Sequence, residues 1–319
     1  MGLSVEQLYD VGGVFLTRDA VAAGLDRTDL TRLRRAGIIH RVRHGAYTSA
    51  AAWDQASPAT RHLLTARAAF RTARVPVVLS HQTSIVSHTN GHWGLRLDEV
   101  DLSRLDGLAG RREAGIRQHR AHPDATYVEP FGDMLRTSAA RAAWEAAIDL
   151  DFERSLIVIN SLLHEGKTTV ELLRHALVDV YQWPGTLGHE LLLAECDPRI
   201  ESVGETRTYC ALRGRGLPPL IPQFEVIGSW GEVIARLDFA IPELKVWLEF
   251  DGLVKYEGLL RPGERASDIV LRERNRERQV EAITGWVCVR VNWSDLCHPE
   301  RIVARIREAA AMAARRRYA

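Results

Sequence analysis

The chain has 319 residues, 46% of them hydrophobic, enough apolar material for two or three ordinary cores. Lys and Arg number 42 against 41 Asp and Glu, a formal net charge of +1. That balance excludes blanket attraction to nucleic acid and leaves any such binding to local clusters of arginine.

Residues 1–52 read as a small helical unit closed by a hairpin. A helix from Val5 to Val11 meets the Gly12-Gly13 break, Val14-Phe15-Leu16 is a brief strand, and Thr17 caps a second helix that stops at Gly24. Asp26, with Asp29 three residues on, opens a third helix through Arg35, and Gly37 is placed as its C′ residue. Ile38 to Val42 and Ala46 to Thr48 then flank His44-Gly45, a two-residue hairpin turn. Three helices and a two-stranded wing form the winged helix-turn-helix order. From Asp26 to Thr48 six arginines against two aspartates leave +4. Arg27, Thr28, Thr31, Arg32 and Arg35 lie opposite the Leu30/Leu33 stripe, where they would reach base edges and phosphates in a major groove. Arg41, Arg43 and His44 would meet the backbone or minor groove from the wing. The alternative is a solvated basic helix in a protein-binding domain.

Residues 53–190 read as a mixed α+β connector. The spacing predicts a helix from Ser57-Pro58 through Arg71, a buried strand from Val75 to Leu79, and a short helix from Ser80 to Gly91. Strands follow near Glu99 to Leu102, Gly115 to His119 and Ala125 to Val128, with helices near Met134 to Leu150, Ser155 to Leu163 and Thr169 to Val180. Gly166-Lys167-Thr168 resembles the tail of a phosphate-binding loop. The required first glycine falls at Ser161, however, so no nucleotide cofactor is expected. His81, His88 and His92 lack a carboxylate at ligand spacing and read as core or cap histidines.

Residues 196–319 change pattern again. A helix from Val203 to Arg213 precedes strands at Ile221 to Ile227, Val233 to Phe239 and Lys245 to Phe250. A charged helix from Asp268 to Ile283, a strand from Val287 to Val291 and a helix from Pro299 complete an αβββαβα order. The four cysteines, Cys196, Cys210, Cys288 and Cys297, fall at irregular spacing and read as reduced, buried residues. No run of 18 apolar residues occurs, and Met1 to Asp10 lacks a basic n-region and an apolar h-region. The expectation is a soluble, cytoplasmic protein with no membrane partner.

Within this third region Asp238 closes one strand, while Glu249 and Asp251 share a face of the next. Converging carboxylates are costly unless a divalent cation neutralises them, which is the chemistry of a Mg²⁺-dependent phosphodiesterase. Glu205 on the preceding helix would supply a third metal ligand beside Asp238 and Glu249. Lys255 would be the cation near the attacking water. The other reading of the same acids is a structural ion-pair cluster with Arg272, Arg274, Arg276 or Arg278 on the following helix.

Two family resemblances enter at these residues. Gly13-Val14-Phe15-Leu16-Thr17-Arg18, Ala23-Gly24-Leu25, Leu33 to Ile38, Arg41-Val42 and Gly45-Ala46-Tyr47, followed by Leu79-Ser80-His81-Gln82-Thr83, resemble the AbiEi family of type IV toxin–antitoxin antitoxins over about the first 150 residues. The resemblance implies binding of double-stranded promoter DNA, repression of the protein's own operon, and a toxin partner it does not identify. Glu205, Asp238-Phe239, Glu249-Phe250-Asp251-Gly252 and Gly285 to Val291 look like the very-short-patch-repair branch of the PD-(D/E)XK nucleases over about the last 120 residues. That likeness implies a restriction-endonuclease-like αβββαβ core with Asp238, Glu249 and Glu205 as its acids. Asp251 stands where the superfamily has its lysine, and Lys255-Tyr256 where the branch often has a histidine.

Overall fold

The structure, a computed structural model, describes residues 13–120, 124–252 and 266–316. The helix expected over 5–11, Lys255 and Tyr256 lie outside them. The chain divides into two compact units, residues 1–196 and 197–319.

The first unit begins with β1 (Phe15–Leu16), α1 (Thr17–Ala22), α2 (Arg27–Arg35), β2 (Ile39–Arg43), β3 (Ala46–Ser49) and α3 (Ala50–Gln55). The strands form one antiparallel sheet in the order β1-β3-β2. Thr17 does not cap α1 but is its first residue. Its N–H donates to the Gly45 carbonyl at 2.9 Å, which ties the wing turn to α1. Asp26 caps α2 through the Asp29 N–H at 2.7 Å, and Asp29 returns a carboxylate to the Asp26 N–H at 3.0 Å, the reciprocal pair the sequence signalled. Phe15, Ala20, Leu30 and Ile39 fill the small core beneath these elements.

Next come α4 (Pro58–Thr72), β4 (Val77–Leu79), α5 (His81–His88), β5 (Val100–Arg104), β6 (Arg112–Glu113), β7 (Ile116–Arg120), β8 (Val128–Phe131) and β9 (Met134–Thr137). They build a six-stranded mixed sheet in the order β6-β7-β5-β4-β9-β8. The small residues of α4 serve two cores. Ala68 packs with Val14, Leu16 and Ala46 of the head, while Ala66 and Ala69 pack on Val77, Leu79, Val100, Leu102 and Met134 of the sheet. Residues 134–137, expected as helix, are a strand. Gly132 at φ +61° turns the chain so that Phe131 pairs with Met134 and Val128 with Thr137, and this ladder overrides the local helix propensity. Helices α6 (Ala139–Ala147), α7 (Phe152–His164), α8 (Val170–Val180) and α9 (His189–Glu195) follow. Every residue of α6 is buried, and its Trp144 indole donates to the Leu173 carbonyl at 2.8 Å.

The second unit runs α10 (Val203–Leu212), β10 (Ile221–Ile227), β11 (Val233–Ile241), β12 (Val246–Asp251), α11 (Ala266–Thr284), β13 (Val287–Asn292) and α12 (Pro299–Arg316). The sheet order is β10-β11-β12-β13, antiparallel except for the parallel β12–β13 pair. Alternation along β12 and β13 gives the sheet two apolar faces. Leu248, Phe250, Val289 and Val291 pack with Ile302 and Ile306 of α12, while Trp247 and Cys288 pack with Val280 of α11. The expected element order is present, and by itself it does not make the unit a nuclease core. None of the cysteines is deeply buried: three are half-buried and Cys297 is exposed.

Gly204 in α10 lies directly against the Phe250 ring, where an added Cβ would collide with it. Gly204→Ala is therefore expected to lower stability by about 1–3 kcal/mol through overpacking, read from the urea unfolding midpoint. An unchanged midpoint would mean the ring relaxes freely.

Candidate functional site

Helix α2 buries Leu30 and half-buries Leu33, and presents Arg27, Thr28, Thr31, Arg32 and Arg35 exposed. On the wing Arg41 and His44 are exposed, whereas Arg43 is half-buried. Two of these side chains already have local partners. Thr31 Oγ1 donates to the Arg27 carbonyl at 2.9 Å, and Arg32 donates to Asp29 Oδ1 at 2.7 Å. The Arg32 side chain is 77% exposed in that pair, and such surface pairs are worth roughly 0–1 kcal/mol, so Arg32 can exchange Asp29 for a phosphate at little cost. Among the described residues Arg27, Arg34, Arg35 and Arg41 have no ion-pair partner. The exposed face is therefore a guanidinium-rich ridge on a rigid helix, flanked by a pinned hairpin.

Each candidate acid of the second unit has protein partners, and Asp238 lies close enough to Glu205 to act on its charge. Asp238 Oδ2 accepts the Phe250 N–H at 2.7 Å, so its carboxylate reaches the strand that carries Glu249. Glu249 is buried and pairs with the Arg276 guanidinium, one of the four arginines of the ion-pair reading. Arg290 joins Asp251 at 3.0 Å to Glu277 at 3.0 Å. Glu205 sits three residues after Ser202, which caps α10, and turns back to accept from Ser202 Oγ at 2.7 Å and the Glu201 N–H at 3.1 Å. Gln223 Nε2 donates to it at 2.9 Å. The Ser-x-x-Glu spacing was a legible signal of this capping role. Burial raises the Glu205 pKa, the Asp238 charge raises it further, and the three donors oppose them.

As arranged, these carboxylates do not fit a divalent cation. Arg276 neutralises Glu249, Glu205 is engaged by three donors, and among the described residues no group of three His, Cys, Asp or Glu side chains is placed to hold a metal ion. No hydrolytic step is derived through one.

The middle sheet carries a cluster that sequence reasoning missed. His81 is buried with φ +50° and stacks on His119 at 3.6 Å between ring centroids, with 14° between the planes. His119 Nε2 lies 2.8 Å from Asp101 Oδ1. The His81 N–H donates to the buried Glu145, which also accepts from Thr137 Oγ1 at 3.1 Å and pairs with Arg141 at 3.0 Å. Face-to-face rings do not aim their nitrogens at a common point, so the pair is a packed network rather than a ligand set. His88 Nε2 is satisfied by the Thr137 carbonyl at 2.9 Å. No local pattern marks His119, because the β5–β7 pairing of Leu102 and Ser103 with Gln118 and His119 is what brings it to Asp101.

Burial, then the neighbouring His119, lowers the His81 pKa to about 3. His81 is thus neutral in the fold, while the unfolded chain takes up a proton below about pH 6.5. Its contribution to stability is intact above pH 6.5 and is lost progressively as pH falls toward 3, with a limiting slope of about 1.4 kcal/mol per pH unit. Burial lowers His62, His88 and His189 in the same direction. His81→Asn, which tolerates the left-handed backbone, is expected to flatten the decline of the urea midpoint between pH 7.5 and 5 by one proton's share. A parent-like slope would contradict this assignment.

A family model described as "Transcriptional regulator, AbiEi antitoxin" matches residues 7–50, the winged part of the first unit. No curated protein matches the chain. The family match ends before the middle sheet and does not reach the second unit. No described helix is long and apolar enough to cross a membrane.

Proposed function

We propose that the chain is a DNA-binding transcriptional regulator of the AbiEi antitoxin type. Residues 1–52 would form its winged helix-turn-helix head, 53–190 a connector, and 196–319 a nuclease-like body. The observation that carries this reading is the coincidence of the family match over 7–50 with the exposed arginines of α2 and the wing. Helix α2 would enter a major groove with Arg27, Arg32 and Arg35, and Arg41 and His44 would rest on the flanking backbone. A toxin partner and action on the protein's own operon belong to the same proposal, as does a cytoplasmic location.

In fluorescence anisotropy with a duplex from the chain's own upstream region, the Arg35→Ala/Arg41→Ala double variant is expected to bind at least tenfold more weakly. The slope of log K against log salt should shrink by about 2, since each phosphate left without its arginine removes about 0.9. Parent-like affinity and slope would remove α2 and the wing from the interface.

A Mg²⁺-dependent endonuclease built on Asp238, Glu249 and Glu205, with Lys255 nearby, is the competing proposal. The like-charge pressure of Asp238 on Glu205 favours it; Arg276 on Glu249 opposes it. The expected outcome is no plasmid nicking with Mg²⁺ or Mn²⁺ above background. Nicking that both Asp238→Ala and Glu249→Ala abolish would establish the enzyme instead.

A further inference from the structure

The wing tip borders two clefts of the first unit. Toward α2, Thr17, Arg27, Thr31 and Arg41 line a hollow of about 530 Å³ with His44 at its edge. On the other side a cleft of about 610 Å³ runs from Arg43 and His44 to Arg74, just past α4, and to Arg104 and Arg111 beside the middle sheet. His44 lines both, so the two clefts meet at the wing tip.

The charge in the second cleft is unevenly spent. Arg104 is committed to Asp106 through bonds of 2.9 and 2.6 Å. Arg111 reaches Glu113 at 3.6 Å, a pair in which both side chains are about two-thirds exposed and which surface screening makes weak. Burial pulls the Arg43 guanidinium below its usual pKa, and Glu113 acts in the opposite sense. Arg74 is exposed and has no ion-pair partner among the described residues. Ala73 and Ala114 contribute only small side chains to the lining. Val75, Leu102 and Ile116 also line it but are committed to the core of the middle sheet, and among the described residues no Phe, Tyr or Trp side chain lines it, so it lacks the accessible aromatic anchors typical of a protein interface. Guanidinium groups over small and core-committed apolar residues instead suit a polyanion read through its backbone, and duplex DNA presents a charge roughly every 1.7 Å along its axis.

We propose that this second cleft holds the sugar–phosphate backbone of the duplex that α2 addresses, with Arg43 from the wing, Arg74 from the end of α4 and Arg111 beside the middle sheet as sequence-independent phosphate contacts. The inference rests on the DNA-binding reading and extends its footprint beyond the winged helix.

The test uses the full chain with two 30-base-pair duplexes, one from its upstream region and one of scrambled sequence, over a series of salt concentrations. The Arg74→Ala/Arg111→Ala double variant is expected to bind both roughly tenfold more weakly and to lower the salt slope by about 2, leaving the preference for the upstream sequence intact. Glu113→Gln, which removes the one carboxylate that lines the cleft among the described residues, is expected to tighten both several-fold, an improvement that misfolding does not produce. If Arg35→Ala/Arg41→Ala weakens binding while the Arg74/Arg111 and Glu113 variants match the parent, the second cleft is not an interface and the DNA-binding reading stands. If the parent binds neither duplex at low salt, both fall.

Discussion

The first unit depends on one guanidinium. Arg71, near the end of α4, donates to the Val14 carbonyl and to Asp19 at 2.9 Å, and lies 3.9 Å from Asp133 in the β8–β9 turn. Asp19 in turn accepts the Leu16 N–H at 2.7 Å, so one carboxylate serves both the start of α1 and the anchor to α4. Arg67, one turn earlier, also pairs with Asp133 at 2.5 Å. The winged head is thus joined to the middle sheet through a part-buried ionic chain as well as through Ala68. A half-buried guanidinium whose partners were removed would be left unpaired, which is far costlier than losing a surface pair. That asymmetry holds the head in one orientation and gives the two clefts beside the wing fixed shapes.

Much of this was legible in the amino-acid order. The Asp26/Asp29 cap, the turn at His44-Gly45 and the order of strands and helices after residue 203 follow from caps, turn residues and periodicity, which are local signals. What escaped was set by distant partners. Met134 to Thr137 suits a helix until the Gly132 turn pairs it with Val128 to Phe131. The placement of Asp238 beside the strand that carries Glu249 was legible, but the neutralisation of Glu249 was not. Arg276 is one of several arginines on α11, and only the tertiary packing selects it for Glu249. His81 in a left-handed conformation is equally invisible in the letters around it, because strain of this kind persists only where surrounding contacts over-determine it.

The two units solve the burial of charge differently. On α6, beside the middle sheet, Glu145 is fully enclosed and satisfied by one backbone N–H, one hydroxyl and the Arg141 guanidinium, which leaves a rigid interior network. On β12 of the second unit the acids are paired with partly exposed arginines, Arg276 at 43% and Arg290 at 37% exposure, so the arginine side of each pair meets solvent and salt. The first arrangement specifies a structure.

The bond from Thr17 to the Gly45 carbonyl has a kinetic corollary. A hairpin free to wave would lose conformational entropy on meeting a ligand and would slow docking while it searched for the right pose. Here that loss is taken during folding, so collision with a charged groove requires only rigid-body orientation. Encounter rates should then be governed by long-range attraction and diffusion rather than by ordering of the loop.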